Sequence, residues 1–301
     1  MSISKNILFI GGGRRNSLCK RFIDKGFSIF SYETDIHAPI CKDGGVIIEG
    51  LFWKDKNITG HIEKTVYDNK IDLIIPLQDQ AVELLASIDL PGSIVCSLST
   101  SQICLDKKKL ESLFMDERIK HIYPFFDGND FIEKPRFGFG SKGLSINKFT
   151  GNNDVIFQKY IKNGTEYSVD CYFNKQGILL DFVPRVREIV TGGEVIKSFT
   201  ISKTSIQYLK IKQHIEKIIS IIDFIGPICF QFIEDNKGNI YIMEINARFG
   251  GGVILSLESG FDIIEMIKQE YIYNKTPISK GWKENKVMSR FFDEYFYEKS
   301  N

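Results

Sequence analysis

The sequence predicts an α/β protein: a parallel sheet with crossover helices comes first, and an α+β region built from antiparallel hairpins follows. Three observations predict this. Through the first hundred residues, short apolar runs alternate with helical spacings. In the second half, alternating strands are separated by polar turns at 174–177 and 234–239. One long amphipathic stretch, 207–224, places Leu209, Ile211, Ile215, Ile218, Ile219 and Ile222 on a core face and is stopped by Gly226-Pro227.

Taken in order, residues 6–10 read as a buried parallel strand and are followed by Gly11-Gly12-Gly13-Arg14-Arg15-Asn16. A helix over 17–25 ends at Gly26, and a second strand, 27–32, leads to Glu33 and Asp35. A strand at 46–48, a helix over 58–69 and a strand at 71–76 continue the alternation. A dinucleotide fingerprint requires a third glycine for close helix packing, and Asn16 stands in that place, which argues against NAD. Arg14 and Arg15, at the carboxyl end of the first strand, suit either an anionic substrate or solvent; Leu77-Gln78-Asp79 sits at another such end. After a strand at 94–96, helical stretches run over 97–105 and from Asp106-Lys107 to Met115.

Residues 133–144, Glu-Lys-Pro-Arg-Phe-Gly-Phe-Gly-Ser-Lys-Gly-Leu, are the most informative stretch. Glycine allows a sharp turn whose N–H groups converge on phosphate oxygens, and Lys134 stands at its base. No Lys-Ser or Lys-Thr pair closes it as in a P-loop, and 144–149 alternates like a strand, so the loop belongs to a β-hairpin. A phosphate-covering loop and a plain hairpin turn both fit. Next come strands at 154–161 and 167–173, with 178–184 pairing back. Strands at 228–233 and 240–246 then flank a polar turn; alternation puts Glu244 and Asn246 on one face, and antiparallel pairing brings Gln231 beside Glu244. A carboxylate with amide oxygens on a rigid strand suits Mg2+ carried by phosphates; a polar strand edge is the plainer reading.

Composition narrows the function classes. The 301 residues are 43% apolar and 26% charged with net charge +1, so no global field favours nucleic acid or a membrane surface. Six scattered cysteines lack metal-site spacing and read as thiols of a reducing compartment, and the apolar run at 7–10 is too short for a signal peptide or a span. A cytoplasmic protein is expected.

With these residues laid out, the chain resembles the ATP-grasp superfamily, in the branch similar to the synthetase domains of carbamoyl-phosphate synthetase. The resemblance rests on Asp106-Lys107, the Lys134-Pro135 glycine loop, the hinge at 158–161, the run Glu166-Tyr167-Ser168-Val169-Asp170, Gln231-Phe232, and Glu244-Ile245-Asn246-Ala247-Arg248-Phe249-Gly250-Gly251. It implies a pre-ATP-grasp α/β domain over 1–97 and a two-lobed ATP-grasp domain over 98–301, with a short lid at about 121–157. It further implies that Lys107, Lys134, Gly140 and Ser141 meet phosphates, that Gln158, Lys159, Tyr160 and Ile161 line the base, and that Glu166 bonds the ribose. Gln231, Glu244 and Asn246 would hold Mg2+ or Mn2+, and Arg248 would steady the γ-phosphate. Two departures stand out: Gln158 replaces the glutamate common at the hinge, and only residues 150–154 separate lid strand from hinge strand, where the family carries a helix.

The reaction so implied is ATP-dependent activation of a small carboxylate as an acyl phosphate, attacked by an amine, with ADP and phosphate released. Arg185 and Arg187 share a strand face by alternation and suit the substrate carboxylate or, equally, a basic surface patch. A nucleotide-binding regulatory protein without turnover is the alternative. A symmetric homodimer is the expected assembly.

Overall fold

A computed structural model of the chain describes residues 5–138 and 143–298. Strands β1 (Lys5–Ile10), β2 (Phe27–Glu33), β3 (Val46–Glu49) and β4 (Leu73–Pro76) form a parallel sheet in the order β3-β2-β1-β4. Helices α1 (Asn16–Asp24), α2 (Ile58–Asp68) and α3 (Asp79–Ile88) alternate with them. The unbroken apolar run of β1 reflects burial on both faces: Ile7 and Phe9 join one core cluster, Leu8 and Ile10 another. Residues 94–96 do not extend the sheet. The turn at Gly92 lets only Ser93 and Ile94 bridge to Ile74 before Ser97 caps the next helix through Thr100 N.

Helix α4 (Leu98–Leu105) leads through Asp106 into α5 (Lys107–Leu113). Asp106 has two tasks. Its carboxylate caps α5 at the backbone N–H groups of Lys108 and Lys109, and it also receives both Nε and Nη2 of Arg136. The charge-assisted bond from Arg136, together with the cap, holds the Asp106 carboxyl below its usual range.

Strands β5 (Phe131–Pro135), β6 (Ser145–Ile146) and β7 (Val155–Lys159) form a small sheet in the order β6-β5-β7. The alternation of 144–149 thus yields only a two-residue strand. Asn147 turns left-handed at φ 52°, and its side chain takes the N–H of Phe131 and reaches Asp130. The short connection to β7 is held from beneath by the buried Glu133 carboxylate, which accepts from Thr150 N and Thr150 Oγ1.

The remaining strands are β8 (Thr165–Phe173), β9 (Leu179–Thr191), β10 (Glu194–Thr200), β11 (Gly226–Glu234), β12 (Ile240–Asn246) and β13 (Val287–Ser289). They make an antiparallel sheet in the order β12-β11-β8-β9-β10-β13. Helix α6 (Ile206–Ile219) packs Ile211, Ile215 and Ile218 onto this sheet at helical spacing, whereas Leu209 is exposed. Short helices α7 (Val253–Glu258) and α8 (Ile263–Ile267) pack against the opening sheet, where Phe249, Val253, Phe261 and Met266 share a cluster with Ile7, Phe9 and Phe22.

The hairpin of β11 and β12 contains a bulge. Gln231 pairs with Glu244, but Phe232 pairs with Ile242, so Met243 is an extra residue. Ile240 and Ile242 point into the core, and after the bulge Ile245 does so instead. The bulge shifts the phase of β12 by one, so Glu244 and Asn246 lie off the core face that an unbroken alternation would have given them.

Candidate active site

A cleft of about 300 Å³ separates the small sheet from the large one. Alternation along β5 places Ile132 and Lys134 in it, while Glu133 points the other way. From the large sheet come Glu166 on β8, Arg187 on β9, Gln231 and Ile233 on β11, and Met243 with Glu244 on β12. Tyr160, Ile161 and Gly164, just past β7, close one end, and Lys107 with Gly138 lies at the loop side. Lys107 Nζ donates to the Gly138 carbonyl at 2.9 Å, which ties the start of α5 to the glycine loop.

The polar side chains of the large sheet form one series of ion pairs and hydrogen bonds. Arg187 Nε lies 3.0 Å from Glu166 Oε2, and Arg187 Nη1 donates to Gln231 Oε1 at 3.3 Å. Gln231 Nε2 and Asn246 Nδ2 each donate to Glu244 Oε1 at 2.9 Å. Arg248 Nη2 then donates to Asn246 Oδ1 at 3.1 Å and to Asp79 Oδ2 at 2.8 Å. The series runs from the Glu166 carboxylate to the first turn of α3, and Asp79 is the member that the sequence places at a strand end without a partner.

Among the described residues, every site residue expected from sequence falls in this cleft or directly beyond it. Lys107, Lys134, Gln158, Tyr160, Ile161, Glu166, Arg187, Gln231 and Glu244 line it. Lys159 borders it too, but its ammonium is drawn out to Asp127 Oδ2 at 3.1 Å. The Gln158 side chain is buried and donates to the hydroxyl of Tyr123 at 2.7 Å. Gly140 and Ser141 lie outside the described residues. Arg185 is fully buried and gives its Nε to Asp170 Oδ2 at 2.8 Å, so it stands behind the cleft rather than in its wall. Ile132, Leu144, Ile233 and Met243 supply apolar wall that sequence reasoning missed; two-residue spacing from Lys134 and Gln231 was the available signal for Ile132 and Ile233.

Electrostatically the cleft is poised for an anion. Burial pulls the Lys134 ammonium down to about 8; Glu244 and Glu166 oppose the shift, and Lys107 adds to it. For a divalent cation the donor set is one carboxylate, Glu244, with two amides turned onto it. Among the described residues no three acidic, His or Cys side chains cluster as a self-sufficient metal cage. A hard cation that arrives on phosphates takes few protein ligands; here Glu244 could supply charge, and Gln231 and Asn246 oxygen once their amides turn.

The comparisons with known proteins point to the ATP-grasp fold. In sequence, residues 152–285 match a family described as "ATP-grasp in the biosynthetic pathway with Ter operon". No curated protein matches the sequence. The structure is similar to N5-carboxyaminoimidazole synthetase from Staphylococcus aureus complexed with ADP, at TM-score 0.71 and 17% identity over 96% of this chain and 81% of that one. It is similar to a biotin carboxylase–β,γ-ATP complex from Campylobacter jejuni at TM-score 0.68 and 18% identity, covering 94% and 74% of the two chains. An L-amino acid ligase from Bacillus licheniformis matches at TM-score 0.68 and 14% identity, covering 90% and 75%. At these identities the likeness is one of fold, and it bears out the parallel sheet followed by an ATP-grasp region. No described helix is long and apolar enough to cross a membrane.

Proposed function

We propose that the protein is an ATP- and magnesium-dependent ligase that activates a small carboxylate as an acyl phosphate for attack by an amine. The observation that supports this best is the series Glu166–Arg187–Gln231–Glu244–Asn246–Arg248 along one cleft wall, opposite Lys134. In this reading the base lies by 158–161, Glu166 takes ribose hydroxyls, and Lys107 and Lys134 meet phosphates under the 138–143 loop. Magnesium or manganese, held by Glu244 with the Asn246 and Gln231 amides, offsets phosphate charge. Arg248, fixed by Asp79, faces the γ-phosphate, with Arg187 toward the acid, whereas Arg185, expected there from the sequence, is sealed against Asp170 behind the cleft. The substrate carboxylate attacks the γ-phosphorus, and the β–γ bridge bond breaks to release ADP. The amine then adds to the acyl carbon and loses a proton as phosphate departs. The protein's share is positioning and fixed charge. Residues 1–97 would form the pre-ATP-grasp α/β domain and 98–301 the ATP-grasp domain, with the lid at about 121–157. The six cysteines, all free, suit a cytoplasmic setting.

The products decide the route. Incubation with Mg-ATP, a panel of small carboxylic and amino acids, and hydroxylamine is expected to give ADP, with hydroxamate only for accepted acids. AMP as the nucleotide product would refute acyl-phosphate chemistry. Tight nucleotide binding with no turnover across the panel would favour a regulatory binder.

Lys134 adds a pH signature. A bound phosphate restores the charge that burial disfavours, so nucleotide binding should raise the Lys134 pKa from about 8 and take up a proton near that pH. Affinity for a non-hydrolysable ATP analogue should be flat below pH 8 and fall above it. Calorimetry in buffers of differing ionisation enthalpy should register the uptake, and Lys134→Ala should abolish it.

A further inference from the structure

Beyond Arg248 the cleft wall continues into arginines that the ligase reading does not use. The loop between β12 and α7, residues 249–252, gathers guanidinium groups from four parts of the chain. Arg15 Nη1, from the loop after β1, donates to the Phe249 carbonyl at 2.9 Å, and Arg248 Nη1 donates to the same oxygen at 3.1 Å. Arg290 Nη2, just past β13, donates to the Gly251 carbonyl. Arg185, on β9, brings its Nη1 so close to Gly252 that a methyl group there would overlap it. Arg14 stands at the rim, paired with Glu194.

Carboxylates match only three of these five charges. Asp79 serves Arg248, Asp170 serves Arg185, and Glu194 serves Arg14. Glu33, beneath the first glycine loop, is taken by the N–H groups of Gly12 and Gly13 and the hydroxyl of Ser31. Among the described residues Arg15 and Arg290 have no carboxylate within ion-pair distance, and both rest on backbone carbonyls. Arg185 adds an independent sign: it is fully buried, yet Nη1 and Nη2 have no hydrogen-bond partner. Burial and mutual repulsion both weigh against these charges. Burial first, then Arg248, disfavours the Arg15 charge; burial, then Arg185 and Arg14 against Glu194, disfavours that of Arg290. An anion among them would relieve both costs, and Gly251, beside which a side chain would meet only open space, leaves room for one.

We propose that the acid activated by this protein carries a second anionic group, and that Arg15 and Arg290 clasp it beside loop 249–252 while Arg248 attends the reacting end. The substrate class is therefore a dianionic acid, either a dicarboxylate or a phosphorylated carboxylate. This rests on the ligase reading above, so the test separates binding from turnover. With the nucleotide site filled by magnesium and a non-hydrolysable ATP analogue, succinate and phosphoglycolate are titrated calorimetrically against acetate and glycolate. Dianions are expected to bind at least ten-fold more tightly, and whichever of the two binds better identifies the second anion. Arg290→Gln should bring dianions and monoanions to within two-fold, and Arg290→Lys should restore most of the preference, with a thermal melt confirming that each variant is folded. Equal affinity for mono- and dianions in the unsubstituted protein overturns the proposal, as does a preference unchanged in both Arg290→Gln and Arg15→Gln. A dianion preference without turnover of any acid would uphold this site and count against the ligase reading alone.

Discussion

Glu244→Gln is expected to lower turnover by about 10³-fold or more while nucleotide affinity falls far less. The substitution preserves shape and hydrogen bonding but removes the one negative charge of the proposed metal donor set, and charge stabilisation at such sites is worth about 3–4 kcal/mol or more. Both amide donors, from Gln231 and Asn246, converge on Glu244 Oε1, so the variant keeps an acceptor there and should fold normally. Steady-state ADP release and analogue binding, measured side by side, give the split. Activity within ten-fold of the unsubstituted protein would remove Glu244 from the metal site. Retained turnover with lost nucleotide affinity would recast it as a binding group.

The second large effect concerns stability. Arg185→Leu should destabilise the fold by about 3–5 kcal/mol, because it strands the Asp170 carboxylate without its cation in a dry interior. The pair is 0% and 2% exposed at its two side chains, and only Ser256 Oγ would remain as a donor to Asp170. Urea denaturation should show the midpoint shift. Replacing both partners, as in Arg185→Leu with Asp170→Leu, should recover much of the loss, because two apolar groups leave no uncompensated charge. A single variant within 1 kcal/mol of the unsubstituted protein would show that the site tolerates water, and the argument from burial would fail.

Much of the architecture and the cleft could be read from short-range pattern. The nearness of Gln231 to Glu244 follows to within one residue from a hairpin about the polar turn at 234–239, the bulge at Met243 supplying the last step of register, and Lys134 follows from the alternation of β5. What could not be read were partners distant in sequence. Arg248 meets Asp79 across 169 positions, and Arg290 meets Gly251 because a C-terminal strand returns to the sheet edge. Periodicity assigns faces, not the groups that will lie opposite them. The 144–149 run shows the reverse failure, where a strand pattern yields to an asparagine whose side chain closes a turn.

The bulge at Met243 makes β12 unequally tolerant of genetic change at different points along its run. Substituting Met243 alters one apolar patch of the cleft wall, a change that repacking can absorb. Deleting it would close the bulge and restore strict alternation with the faces unchanged, Ile240, Ile242 and Ile245 toward the core and Glu244 and Asn246 away from it. One step beyond the bulge there is no such slack: without Ile245, Asn246 would take the inward place, and a single missing residue would exchange the chemistry of the site for the packing of the fold.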